Sequence, residues 1–218
     1  MPQRLYINRT VSSIPVNVIR RLSRYLTYLD EVGRKKGKWI FSSQIAGAFS
    51  LTNVTVRHDI SYLDNFSGAP KRGYNVQRLR KAIGAFLGRV KSNKNIVMIG
   101  VGNLVKAVTD GRDLLHQCFK VCGVFDTSPN MVGEKFGGYE VQSLEMLPQI
   151  IWNNKIAIGV IAVSEKEVQL VTDLCVIAGI RGLLNFTWTK LLVPNHVAVI
   201  DAPVFSHLIE LSCLIQAE

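Results

Sequence analysis

The chain has 218 residues, of which 48% are hydrophobic, and a formal net charge of +10. That length suits one large domain or two small ones, and no apolar run reaches the ~18 residues of a membrane helix. The N-terminus, Met1-Pro2-Gln3-Arg4, lacks the apolar core of a signal peptide, so a cytoplasmic protein without membrane partners is expected.

The charge is unevenly spread. Residues 1–94 hold 18 Lys/Arg against 4 Asp/Glu, a net of +14, while residues 95–218 hold 8 against 12, a net of −4. Such asymmetry points to a nucleic-acid-binding front and a differently employed back. The four cysteines, Cys118, Cys122, Cys175 and Cys213, sit in apolar surroundings without zinc-type spacing. They read as buried thiols, and a redox-active Cys118/Cys122 pair is the sharper alternative.

Residues 1–10 read as a loose basic arm. Ser12 or Ser13 can cap a helix with Pro15 in its first turn. Ile14, Val18, Leu22, Tyr25, Leu29 and Val32 then recur at helical steps and form one apolar face, with Arg20, Arg21 and Arg24 off it. Gly33 to Gly37 ends the helix. Trp39-Ile40-Phe41 is a short strand or a tie into the core. Ser42 or Ser43 caps a second helix carrying Ile45, Ala46 and Phe49, and Ser50-Leu51 turns the chain.

Thr52 caps a third helix, Asn53 to about Leu63, with Val56, Ile60 and Leu63 inward. Asn53, Thr55, Arg57, His58 and Ser61 are left to face outward. Two short helices joined by a tight turn, the second polar and basic on its open face, make a helix-turn-helix suited to a major groove. His58 alone is ambiguous. Residues 67–76 follow, with glycine and proline bounding Lys71 and Arg72. They read as a hairpin wing able to lay two cations on phosphates or in a minor groove. A further helix is expected over Val76–Val90, and Ser92-Asn93-Lys94 is the linker.

The second half alternates strand and helix. Asn95 to Ile99 is a β-branched apolar run, followed by Gly100-Val101-Gly102-Asn103-Leu104-Val105 and a stretch that can be helical. A second apolar run, Val121 to Phe125, ends at Asp126. Strand, glycine turn, helix, strand and acid form the plan of a dinucleotide-binding unit. Gly100 allows the tight turn, and Gly102 lets the backbone approach a pyrophosphate. Asp126 stands where an acid takes the ribose hydroxyls. Val105 occupies the place of a third glycine, so its bulk is expected to push the helix outward.

Further on, residues 131–138 read as a loop and Tyr139-Glu140-Val141 as a candidate strand, with a helix over Leu144–Ile151. Ile156 to Val163 is a continuous apolar run, as in a strand buried on both faces. Glu165 to Ile177 is a helix, Gly182 to Phe186 and Val197 to Ile200 the last strands. From Pro203 runs an apolar helix with Val204, Phe205, Leu208, Leu211, Leu214 and Ile215 that needs a surface to cover. His116, His196 and His207 are scattered, and no hydrolytic or metal constellation is present, so no catalytic or metal-binding residue is expected.

The order of motifs resembles the Rex family of bacterial redox-sensing transcriptional repressors along nearly the whole chain. The matching stretches are residues 19–26 (IRRLSRYL), 56–62 (VRHDISY), Gly73-Tyr74, 100–104 (GVGNL), Phe125-Asp126 and 178–186 (AGIRGLLNF). The resemblance implies an α/β protein with a winged helix-turn-helix domain over 1–90, a Rossmann-type parallel-sheet domain over 91–202, and a C-terminal helix over 203–218 exchanged between the subunits of a homodimer. It implies a non-enzymatic repressor that binds double-stranded operator DNA and responds to the NADH/NAD ratio. Asn53, Thr55, Arg57, His58, Ser61, Lys71 and Arg72 are then the DNA-binding residues. Gly100, Val101, Gly102, Asn103, Leu104, Asp126, Ala162, Val163, Asn185, Phe186 and Thr187 are the NAD(H)-binding residues. Asp126 would take the adenosine ribose, and residues 185–187 would lie near the nicotinamide.

Departures from the family pattern are Val105 for a glycine, His58 for a lysine, and Lys71-Arg72 in the wing. Of three positions that the resemblance assigns to the redox switch, an arginine aligns with Thr27 and a tyrosine with Gly111, while the aspartate is kept as Asp201. Asp201 is therefore expected to lack its partners, and NADH and NAD to differ less in effect than in relatives. The alternatives are a member without a nucleotide response and an NAD-dependent oxidoreductase with a basic appendage. An oxidoreductase would need a proton donor beside the nicotinamide, and none is evident.

Overall fold

The computed structural model describes residues 14–34, 38–88, 94–102, 105–106, 119–202 and 204–215. The chain divides into two compact units, 1–92 and 93–218.

In the first unit, α1 (Val16–Arg34) runs along the core. Ile14, Val18, Leu22, Tyr25 and Leu29 are buried, as the helical spacing predicts, and Leu26 joins them. The proposed caps at Ser12 and Ser13 lie outside the described residues; Pro15 offers its carbonyl to the amide of Val18 at 2.9 Å. Strand β1 (Trp39–Ile40) pairs antiparallel with β2 (Tyr74–Asn75). Between them lie α2 (Ser42–Ala48) and α3 (Asn53–Ile60), and α4 (Val76–Phe86) follows β2.

The cap of α2 is Phe41, not Ser42 or Ser43. Gln44, three residues on, reaches back to accept the Phe41 amide at 2.9 Å, half of a capping box. Ser50, at φ +52, turns the chain in the left-handed conformation that usually selects glycine. Thr52 caps α3 as expected, accepting the Thr55 amide at 3.1 Å. That helix ends at Ile60, three residues short of Leu63, because the Ser61 hydroxyl bonds the His58 carbonyl at 2.7 Å and a turn takes over. Asn75 caps α4, which stops at Phe86.

The second unit is a seven-stranded sheet in the order β5-β6-β4-β3-β7-β8-β9. Its strands are β3 (Lys94–Ile99), β4 (Phe119–Asp126), β5 (Lys135–Phe136), β6 (Tyr139–Ser143), β7 (Ile158–Ile161), β8 (Gly182–Asn185) and β9 (Ala198–Asp201). All neighbours are parallel except β5, which forms a small hairpin with β6. The stretch read as a loop thus contains an edge strand. The unit also contains helices α5 (Leu147–Asn153), α6 (Val168–Ile177) and α7 (Val204–Ile215). A short 3-10 turn, Leu144–Met146, and a turn over residues 165–167 replace the starts predicted for α5 and α6.

Alternation along β3 explains its apolar run. Val97 and Ile99 enter one core with Leu147, Ile151, Val168 and Val171 from α5 and α6. Ile96 and Met98 enter another with Val121, Val124 and Val141. A strand covered on both faces cannot show polar residues on alternate positions. The sheet reverses direction of build between β3 and β7, and in such sheets a ligand crevice opens beyond the carboxyl ends of the strands at that point.

Candidate functional site: a strand-end crevice and an exposed helix face

Four of the strand ends at the crevice carry the residues singled out from sequence. At the end of β3, Gly100 has φ +98, and a Cβ added there would stand 2.3 Å from the Ala162 carbonyl oxygen. Only glycine fits. The Gly100 amide donates to the Phe125 carbonyl at 2.8 Å, and the Ala162 amide to the Ile99 carbonyl at 2.8 Å. These bonds tie the ends of β3, β4 and β7 together.

Gly102 differs in kind. Among the described residues a Cβ added there meets no atom within 4 Å, so none of them requires glycine. The open space fits a group that must come close to the backbone. Asp126 ends β4, and its carboxylate accepts the Val101 amide at 2.9 Å and the Ser128 amide at 2.8 Å. The acid therefore braces the glycine loop while lone pairs remain for a hydroxyl-bearing ligand. Asn103 and Leu104 lie outside the described residues.

Val105 is fully buried in the cluster with Met98, Val121 and Val124. Its methyl groups add to the core, and the helix it was expected to push outward lies almost wholly outside the described residues. Ala162 is half-buried at the rim, and Val163 packs partly against the core shared with α6. Beyond them, Glu167 accepts a hydrogen bond from the Ser164 hydroxyl at 2.5 Å. Bonds from Ser164 and from Thr127 hold its carboxyl below the ordinary value. Thr127 follows Asp126 directly, so this acid joins the loops after β4 and β7. Sequence reading passed over it, since a glutamate near the start of an expected helix carries no distinguishing pattern.

Asn185, at the end of β8, is buried with every polar atom engaged. Its amide nitrogen donates to the Thr189 carbonyl at 3.0 Å and to Asp201 at 2.8 Å, and its oxygen accepts from the Thr187 amide and hydroxyl at 2.9 and 2.7 Å. Asp201 is thus bonded to Asn185, which is neither of the two groups that the resemblance assigns to it. The register of β8 on β9, which sets Asn185 opposite Asp201, supplies this bond. Phe186 is half-buried beside this network. Thr27 is exposed on α1 with its hydroxyl on the Ser23 carbonyl at 3.4 Å, and Gly111 lies outside the described residues.

On the first unit, Asn53, Arg57, His58 and Ser61 of α3 are exposed, whereas Thr55 is half-buried, its hydroxyl 2.8 Å from that of Thr52. Arg57 lies back along its helix, its Nε on the Asn53 carbonyl at 3.3 Å. The His58 ring meets Tyr62 edge-on at 5.2 Å. On the inward side an acid appears. Asp59 is fully buried, gripped by Arg21 through two bonds of 2.7 Å and by the Tyr25 hydroxyl at 2.8 Å. The bond to Asp59 raises the Arg21 guanidinium further, and burial followed by the same acid pushes the Tyr25 phenol far up. An acid at the helical spacing of Val56 and Ile60 is the signal that this network needed.

The expected wing is a tight turn. Ala69 and Gly73 exchange backbone bonds of 2.7 and 3.1 Å, and the exit strand β2 pairs with β1. Gly73, at φ +77, has no room for a Cβ, which would stand 2.4 Å from the Ile40 carbonyl oxygen. Lys71 and Arg72 are exposed at the tip, and the Arg72 guanidinium lies 5.8 Å from the Trp39 ring.

A helix-turn-helix with a cationic tip on one unit, and a doubly wound parallel sheet with a glycine-lined crevice on the other, define a two-domain nucleotide-fold regulator. Comparison with known proteins agrees. The profile of the CoA binding domain family matches residues 91–189, and one described as a putative DNA-binding protein N-terminus matches residues 13–61. The redox-sensing transcriptional repressor Rex of Carboxydothermus hydrogenoformans is 37% identical over 85% of this chain and 88% of its own. That of Clostridium acetobutylicum is 31% identical over 94% of both chains. Among solved structures, the Rex-family repressor RSP in complex with β-NAD+ and operator DNA superposes with a TM-score of 0.83 at 30% identity, over 94% of this chain and 93% of its own. RSP with β-NADH also gives 0.83, at 29% identity and 96% of both chains. The chain belongs to the Rex family of redox-sensing transcriptional repressors. Those relatives are named as repressors, not enzymes. Among the described residues no helix is long and apolar enough to cross a membrane.

Proposed function

We propose that the chain is a cytoplasmic, homodimeric repressor whose affinity for double-stranded operator DNA follows the NADH/NAD ratio. The observation that carries this reading is the glycine cradle at the strand-end crevice, in the same chain as a helix-turn-helix with a basic exposed face. Support comes from RSP, which is described with operator DNA and β-NAD+ and with β-NADH.

In this reading residues 1–90 bind DNA, 91–202 bind NAD(H), and 203–218 join the subunits. Arg57, His58, Asn53 and Ser61 meet base edges or phosphates, with Thr55 acting mainly through the cap it shares with Thr52. Lys71 and Arg72 take the backbone or the minor groove. Gly100, Val101, Gly102, Asn103 and Leu104 cradle the pyrophosphate, Asp126 accepts a ribose hydroxyl, and Ala162 and Val163 line the floor. Asn185 and Thr187 hold the shape of the nicotinamide end through their own network, with Phe186 beside it. The cofactor, when bound, brings a ring that is cationic in NAD+ and neutral in NADH.

The apolar face of α7 supports the dimer. Leu208, Leu211, Leu214 and Ile215 are each more than half exposed on the single chain. A titration of purified protein with NADH, read by nicotinamide fluorescence, tests the cofactor. Saturation lost in Asp126→Ala supports the site, and unchanged binding in that variant removes Asp126 from it.

A further inference from the structure

The face that α3 turns to solvent is not wholly polar. Residues 54, 57, 58 and 61 follow the spacing of one helical face, and Val56, Asp59 and Ile60 occupy the buried side. Three members of the outward stripe are Arg57, His58 and Ser61. The fourth is Val54, which is 71% exposed. A single exposed apolar side chain on an arbitrary surface calls for no explanation. This one stands in the first turn of the second helix of a helix-turn-helix, where base edges are met. A β-branched residue is also a poor choice for an exposed helix position on propensity alone. Thr55, the polar neighbour that sequence favoured, is half-buried with its hydroxyl in the Thr52 cap.

The major groove offers an isopropyl group one complementary feature, the C5-methyl of thymine. We propose that Val54 is a specificity-determining residue that packs on a thymine methyl, beside the base contacted by Arg57. This assignment rests on the DNA-binding reading given above. Three residues of helix advance by ~4.5 Å, and a base-pair step is ~3.4 Å. The thymine therefore lies within about one base pair of the base that Arg57 meets.

The test uses the full chain and a duplex enriched by it from a random pool. Each thymine of that duplex is replaced in turn by deoxyuridine, which removes only the methyl. Wild-type protein should lose roughly three- to fivefold in affinity at one thymine per half-site, the effect of one methyl withdrawn from water. Val54→Ala should bind the unmodified duplex more weakly by a similar factor and ignore that substitution, while responding as wild type at every other thymine. Alanine is the better helix former, so the fold is kept. Identical deoxyuridine profiles in the two proteins overturn the assignment of Val54 and leave DNA binding standing. A pool in which no duplex is enriched overturns the DNA reading, and the role of Val54 with it.

Discussion

Arg21 and Asp59, on different helices of the first unit, form a two-bonded ion pair around a carboxylate that is fully buried. The pair clamps α1 to the inward face of α3. Arg21→Met leaves that carboxylate buried without its cation, which costs about 3–5 kcal/mol. Urea unfolding followed by circular dichroism measures the loss. A change below about 1 kcal/mol contradicts the clamp.

The two crevice glycines should respond to alanine in opposite ways. Gly100→Ala forces a Cβ against the Ala162 carbonyl and destabilises the second unit whether or not nucleotide is present. Gly102→Ala meets none of the described residues, so thermal stability without ligand stays within a degree or two. Its NADH affinity falls, because the methyl occupies the pyrophosphate approach. Unaltered NADH affinity in a folded Gly102→Ala protein contradicts the cradle.

Much of the plan was legible in the sequence, and the limits have physical causes. The α1 stripe from Ile14 to Leu29 is buried as its spacing predicts, because amphipathic periodicity records burial directly. Gly100 and Asp126 meet the same strand ends because a glycine turn and a terminal acid are local signals. The Arg21–Asp59 pair, the Asn185–Asp201 bond and the burial of Val105 depend on which elements become neighbours, and local pattern does not carry that. Val54 was missed for another reason: polarity was used as a proxy for exposure, and Thr55 is polar while spent on a cap.

Burial pushes the Cys175 thiol up to about 12, from an ordinary 9.0. The folded chain therefore keeps this proton where the unfolded chain loses it. The contribution to stability is whole below pH 9 and is lost as pH climbs from 9 towards 12. Wild type should lose stability more steeply than Cys175→Val across that window, by paired urea titrations. Native protein at about pH 8.5 should also resist iodoacetamide at Cys175. Parallel pH profiles for the two proteins contradict a protonated, buried thiol.

Removal of residues 203–218 takes away a helix whose described large apolar side chains are more than half exposed. Sedimentation should show a dimer for the full chain and a monomer or aggregate for the truncated one. A well-behaved full-length monomer contradicts the assignment of α7 to the subunit contact.

The most direct test of the central claim is the affinity of the full chain for its selected duplex at saturating NADH and at saturating NAD+. A ligand shifts an equilibrium only through its different affinity for the two states. The account predicts that NADH weakens DNA binding relative to NAD+, by less than about tenfold given Thr27 and Gly111 at the switch positions, or ~1.4 kcal/mol. In Asp126→Ala the two affinities should converge. Equal DNA affinity with both nucleotides demonstrably bound to the wild-type protein contradicts the account.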